Sequence, residues 1–267
     1  MRIAQTEAII HKAVFEVRYA RGFAYLDRCG SIMNRIMSTY PQWVLKGEGV
    51  SPQNASLVNV ESGVHFSFGP LKYDFSLDQP ISKEVALTRE DIIRFVEEVA
   101  SISRVVHEEL ELKYFVREGF RIWYLFGVSS ETEAEKWISG LGAFSIAQSV
   151  AGAFNGDLES QAHVAFIKGS DRKYRIAVNT VERIGQLDLG NEILKAQPRS
   201  LPRGQREALL KQLEAKRRVL SNPGTAVMVD VDVFLDDPIE VDPADFISQS
   251  LEVIEQRLPI ALTGGHE

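Results

Sequence analysis

Hydrophobic and polar positions alternate most strictly near the end of the chain. Val227, Val229, Val231, Val233 and Leu235 take every second place, with Met228, Asp230, Asp232 and Phe234 between them. A period of two sends successive side chains to opposite faces, which predicts a half-buried strand. A looser version runs over 8–19, with Phe15, Val17 and Tyr19 on one side. Three short strands follow near 55–61, 63–68 and 71–77, joined at Ser62-Gly63 and Gly69-Pro70. Val64, Phe66 and Phe68 alternate with His65 and Ser67, and Leu71, Tyr73, Phe75 and Leu77 with Lys72, Asp74 and Ser76. This is the pattern of an antiparallel meander with one wet face. Residues 160–168 and 173–184 predict a further hairpin around Gly169-Ser170.

Elsewhere the period lengthens to that of a helix. Over 22–40 the recurrence of Phe23, Leu26, Met33, Ile36, Met37 and Tyr40 predicts a buried stripe, ended by Pro41 and followed by a polar loop at 45–54. Thr88 with Asp91 three places on predicts a capped helix whose apolar face is Ile92, Phe95, Val96, Val99 and Val106. Ser130 opens a short helix through Trp137 to about Leu141. A helix is expected from about 204 to 220, stopped by Asn222-Pro223-Gly224. Asp242, with Pro243 at the first position, opens the last helix. There Phe246, Ile247, Leu251, Ile254 and Leu258 face inward, and Ile260 onward reads as a frayed tail. The fold class is α+β: antiparallel sheets with helices packed on one face. The small residues of 142–156 separate an N-terminal half, 1–144, from a C-terminal half, 157–267. Two related halves are compatible with this order, although no residue-level repeat is visible.

The densest aromatic and β-branched run is Leu112 to Val128, LKYFVREGFRIWYLFGV. Such side chains favour a pleated surface. Two readings are open. In one, Glu118-Gly119 is a two-residue hairpin turn. In the other the strand runs through, and Gly119 marks a bulge or a close backbone approach. The second reading puts Arg117, Gly119, Arg121 and Trp123 on one face. Arg117 and Arg121 are then a candidate anion site, because the guanidinium fork matches carboxylate or phosphate.

The segment Arg117-Glu118-Gly119-Phe120-Arg121-Ile122 resembles the Arg-x-Gly-Leu-Arg-Tyr core of an uncharacterised, sporadically distributed bacterial family of about 250 residues. Ala13 to Tyr19 resembles that family's opening strand, and Val229-Asp230-Val231-Asp232 its late strand. Phe120 stands where the family has Leu, and Ile122-Trp123-Tyr124 replaces its Tyr-x-Asn. The resemblance implies an arrangement of the fold and a bacterial cytoplasmic origin; it implies no reaction.

Composition narrows the classes further. At 267 residues the chain can bury a proper core. The single cysteine, Cys29, excludes an internal disulfide and reads as a small buried hydrophobe. No apolar run resembles a signal peptide or a membrane span, so a cytoplasmic, membrane-free protein is expected. The net charge of −7 is uneven: residues 195–218 carry eight bases against two acids, and residues 219–267 ten acids against Arg257. The basic excursion 195–220, with Arg199, Arg203, Arg206, Lys211, Lys216, Arg217 and Arg218, is a candidate docking arm for a protein partner or for self-association. A solvated helix is an equally open reading of this segment; nucleic-acid binding is the less favoured one, because it holds no aromatic for stacking and the whole chain is acidic.

Asp230 and Asp232 share a strand face and are the candidate metal pair, although two carboxylates fall short of a full oxygen shell. His11, His65, His107, His163 and His266 lack zinc-hydrolase spacing, and His107-Glu108-Glu109 is not that motif. Gly47-Glu48-Gly49 and Gly140-Leu141-Gly142 are too short for phosphate loops. No catalytic residue and no cofactor is assigned. The expected function is non-catalytic binding or assembly with a macromolecular partner, the alternative being an enzyme that handles nucleotides or small anions.

Overall fold

The computed structural model describes residues 2–3, 6–20, 22–46, 51, 54–78, 86–140, 162–183 and 224–263. Its centre is a strand of fourteen residues, β8 (Phe115–Val128), which runs unbroken through Glu118-Gly119. Of the two readings of this stretch, the continuous strand is the one observed. Phe120, Ile122, Tyr124 and Phe126 alternate onto one face and are buried there.

Around β8 the described residues build one nine-stranded sheet, antiparallel at every pairing, in the order β4-β5-β6-β7-β3-β8-β11-β10-β9. The strands are β3 (Ile9–Tyr19), β4 (Trp43–Leu45), β5 (Ala55–Asn59), β6 (His65–Phe68), β7 (Lys72–Asp78), β9 (Ala162–Lys168), β10 (Lys173–Arg183) and β11 (Gly224–Asp236). A small hairpin, β1 (Arg2–Ile3) and β2 (Thr6–Glu7), precedes them. Among the described residues the helices are α1 (Gly22–Thr39), α2 (Arg89–Leu110), α3 (Glu131–Gly140) and α4 (Pro243–Thr263). All four pack on the same face. Tyr25 of α1 meets Phe68 edge-on at 4.7 Å, His107 of α2 meets Tyr73, Trp137 of α3 stacks on Phe126, and Phe246 of α4 meets Phe15. The expected α+β architecture, with helices on one side of antiparallel strands, is what the chain adopts.

The strand order also shows a duplicated plan. In the first half β3 is followed by α1, by a meander that ends in β7 beside β3, and by α2. In the second, β8 is followed by α3, by strands that end in β11 beside β8, and by α4. The halves meet along the β3–β8 pair. The stretch 142–156, read from sequence as the boundary between the halves, lies outside the described residues.

Local chemistry explains the ends. Thr88 and Asp91 form a reciprocal capping box on α2, and Glu111, in the left-handed region at φ 50°, closes it. The Asp242 carboxylate accepts from the backbone N–H groups of Ala244 and Asp245 at the start of α4.

Three expectations are corrected. Met33 and Ile36 are buried as expected, but Phe23 and Leu26 are exposed, and α1 buries Tyr25, Cys29 and Ile32 in line with Ile36. That stripe keeps an unbroken spacing of four, three and four, whereas the row through Phe23 and Leu26 meets Gly30 at the next turn. Leu45, expected to open the loop at 45–54, instead ends a short strand, since Trp43–Leu45 pairs with β5; Trp43 packs edge-on against Phe66 and Phe75. The last helix does not fray at Ile260. It continues past Pro259 to Thr263, with Leu258 and Leu262 both buried. Burial of that i, i+4 pair offsets the hydrogen bond that proline cannot donate.

Candidate functional site

The face of the sheet opposite the helices carries the polar half of each alternating strand. On the four middle strands this half is rich in charge: Lys12, Glu16 and Arg18 from β3, Lys72, Asp74 and Asp78 from β7, Arg117 and Arg121 from β8, and Asp230, Asp232 and Asp236 from β11. Register sets who meets whom. Glu16, Gly119 and Phe234 lie in one row across β3, β8 and β11, and Val14, Arg121, Asp232 and Arg175 in the next, which extends to β10.

Arg117 lies back over the bare backbone of Gly119. Its Nη1 donates to Glu16 Oε1 at 2.9 Å and its Nη2 to both carboxylate oxygens of Asp232 at 2.9 and 2.8 Å. Its guanidinium carbon sits 4.7 Å from the centre of the Phe234 ring, in cation–π contact. A Cβ on Gly119 would stand 2.7 Å from Arg117 Nη1. The glycine is therefore a close-approach position, and what approaches is a side chain of its own strand.

Arg121 grips the next acid along. Its Nε and Nη2 reach the two oxygens of Asp230 at 2.6 and 2.5 Å, and Arg175 of β10 adds a third bond at 2.7 Å. Asp230 is only 2 % exposed, so two guanidiniums hold a carboxylate shielded from water. The hydrogen bonds of Asp230 push the Arg121 guanidinium further above its usual range. At the other end Glu16 also binds Lys72 at 2.8 Å and Arg18 at 2.7 Å. Burial works to raise the Glu16 carboxyl, and Lys72 and Arg18 outweigh it and hold it low. Lys12 pairs with Asp78 at 2.7 Å, and Lys173 pairs with Asp236. Trp123 lies between Lys12 and Arg121, each 5.0 Å from its ring centre, and its buried Nε1 has no hydrogen-bond partner.

The four residues singled out from sequence, Arg117, Arg121, Asp230 and Asp232, do come together. They meet as each other's partners. An anion approaching Arg121 must compete with Asp230 already in bidentate contact, and a cation approaching the aspartates must displace arginines. Among the described residues no group of three or more histidine, cysteine, aspartate or glutamate side chains could hold a metal ion. Glu16, Lys72, Arg175 and Phe234 were not singled out, yet they complete the lattice. Their signal was present as polar places in alternating strands, but only the strand order reveals which of them are neighbours. The basic excursion 195–220, including Arg199, Arg203, Arg206, Lys211, Lys216, Arg217 and Arg218, lies outside the described residues.

Beneath the helices a second polar feature interrupts the core. Glu118 is 2 % exposed and its Oε1 has no partner; burial, with repulsion from Asp242, raises its pKa to about 8 against the pull of Arg172. On α2, Ser103 Oγ is likewise buried and unpartnered, and His107 Nε2 lies 2.6 Å from the Tyr73 hydroxyl. Burial lowers the His107 pKa to about 4. Cys29 is buried, and burial raises its thiol, which makes it a poor nucleophile.

No protein-family model, no curated protein and no solved structure matches this chain. No helix among the described residues is long and apolar enough to cross a membrane.

Proposed function

We propose that this is a non-catalytic binding or assembly protein, and that the charged face of its sheet recognises a protein partner. The observation that carries the reading is the mutual pairing of Arg117, Arg121, Asp230 and Asp232 with Glu16 and Arg175. Groups held in this way are fixed in place before any partner arrives, which lowers the cost of docking on them. Their charge is spent on neighbours rather than on a reacting atom.

The same face argues for a protein over a nucleic acid. Its ion pairs involve seven bases and six acids, so a polyanion would meet nearly as much repulsion as attraction. A partner with alternating charge of its own would find complementary groups, and such patterning sets specificity and association rate. The half-exposed rim of Arg18, Lys72 and Lys173 is where a partner would first make contact. The Arg117-Gly119-Arg121 core, on which the family resemblance rests, is also the centre of this lattice.

The test is native mass spectrometry of the protein purified gently from its natural host, beside the double variant Arg18→Glu/Lys173→Glu. A partner at fixed stoichiometry with the wild type, lost with a variant that melts normally, supports the reading. Turnover of a nucleotide or small anion that Arg121→Ala alone abolishes would overturn it in favour of the enzyme alternative.

A further inference from the structure

The two outer strands of the sheet are protected very differently. At one edge β4 is three residues long, and Trp43 within it is buried. At the other, β9 is seven residues long, pairs on one side with β10, and has no strand on its outer side among the described residues. Long flat edges are normally blunted by charge, proline or a bulge, because their unpaired backbone groups template another strand. Between its ends β9 has none of these: its sequence is AHVAFIK, and its one Lys or Arg is the terminal Lys168.

Its side chains are also unusually apolar for an edge, and on both faces. Phe166 is 74 % exposed and Val164 44 %, on the charged face of the sheet, since they pair with Arg175 and Ala177. Ile167 is 48 % exposed on the helix side, where it borders a cleft of about 140 Å³ lined with Tyr174, Ile176, Val253 and Leu258. In the duplicated plan β9 takes the place of β5, and β5 is covered by β4. The place beside β9 is thus one that the fold fills in its other half.

We infer that β9 is a dimerisation strand, which pairs antiparallel with β9 of a second copy of this chain and continues the sheet across a two-fold axis. The sequence of the strand is self-complementary. Only one register overlaps all seven residues, and it puts Ala165, the smallest side chain available, on the axis. Phe166 of each copy then faces Val164 of the other, an aromatic and β-branched pair of the kind that stabilises neighbouring strands. Lys168 faces Ala162, so no like charges meet. A closed two-fold contact also uses the apolar edge up completely, whereas any offset pairing leaves a bare end to recruit further chains. This inference does not depend on the partner proposed for the charged face, because the contact is made along the outer backbone edge of β9 and uses none of the ion pairs of β3, β7, β8, β11 and β10.

The experiment has two arms. In the first, the mass in solution is measured by light scattering over a dilution series for the wild type and for Phe166→Lys. The expected result is two chains for the wild type, and a dissociation constant raised at least tenfold in a variant whose circular dichroism and melting are unchanged. Phe166 is exposed, so the variant folds even if the inference fails. In the second, Ala165→Cys and Val164→Cys are oxidised mildly in separate preparations. Residues facing each other on neighbouring antiparallel strands have Cα atoms about 4.5–5.5 Å apart, within disulfide reach. Ala165→Cys should cross-link copy to copy and Val164→Cys should not. A wild type that stays monomeric throughout, with β9 amides protected by its own chain or not at all, would overturn the inference. So would a dimer that survives Phe166→Lys and yields no Ala165→Cys cross-link.

Discussion

At the scale of single residues, Gly119 is the position whose role is least visible from its own neighbours. The two readings of its surroundings made it a turn or a close approach, and sequence could not choose, because the atom that approaches belongs to Arg117 folded back along the same strand. A methyl group there would push the guanidinium off Glu16 and Asp232. Gly119→Ala should therefore destabilise by about 1–3 kcal/mol, the usual cost of overpacking and of stranding partly buried charge. Alanine suits a strand better than glycine, so the same change made in an Arg117→Ala background should be neutral or stabilising. Chemical denaturation of the two singles and the double gives the coupling. Additive effects would mean that the glycine serves something other than Arg117. Asp230 offers the complementary case: Asp230→Asn leaves Arg121 and Arg175 facing an uncharged group and should cost about 3 kcal/mol. Asp230 was legible in sequence as a polar place in a regular strand, but its two guanidinium partners were not, since they come from residues 121 and 175.

At the scale of elements, strands with long regular alternation and helices with good caps were the legible parts, because both signals are local. β11, β7, α2 and the start of α4 follow from spacing and end chemistry alone. β4 was missed because three residues hold no period, and α1 was turned because two competing stripes differ by small rotations. Two titratable groups between the sheet and the helices have consequences for pH. Glu118 on β8 titrates near 8 in the folded chain and in the ordinary carboxylate range when unfolded, so the unfolded chain releases its proton first as pH rises. Its contribution is therefore most favourable below the ordinary carboxylate pKa and declines as pH climbs toward 8. Glu118→Gln should raise the melting temperature at pH 8 by clearly more than at pH 5. His107 on α2 acts in the opposite direction. Its folded pKa of about 4 lies below the ordinary value, so it stabilises above about 6.5 and that stabilisation is lost as pH falls toward 4. His107→Gln should flatten the acid side of the profile. Parallel wild-type and variant profiles would show that neither group titrates as its burial implies.

For the whole molecule, the fold class was readable, and the joining of the two halves into one sheet was not. Which strands become neighbours depends on pairings between residues about a hundred positions apart, and neither periodicity nor composition records them. Glu16 with Arg117 and Arg121 with Asp230 are such pairings, and they straddle the seams β3–β8 and β8–β11. Continuous strand pairing through both seams makes the halves one cooperative unit. A single calorimetric transition, with the calorimetric enthalpy equal to the van't Hoff value, is the expected result. Two resolved transitions, one sensed by Trp43 and one by Trp137, would show that the halves melt independently.

The central place of β3 also matters while the chain is being made. The ribosome delivers β3 and its neighbour β7 within the first eighty residues, but β8, which covers the other side of β3, is complete only at Val128. For that interval the nascent first half holds a finished meander bordered by an eleven-residue strand that is paired on one side only. A chain halted after Leu110 would stay in that state, and full-length protein escapes it only by going on to make β8. Released as a fragment, residues 1–110 should aggregate or pair through β3 at concentrations where the whole protein stays dispersed, and light scattering of the two side by side would show it.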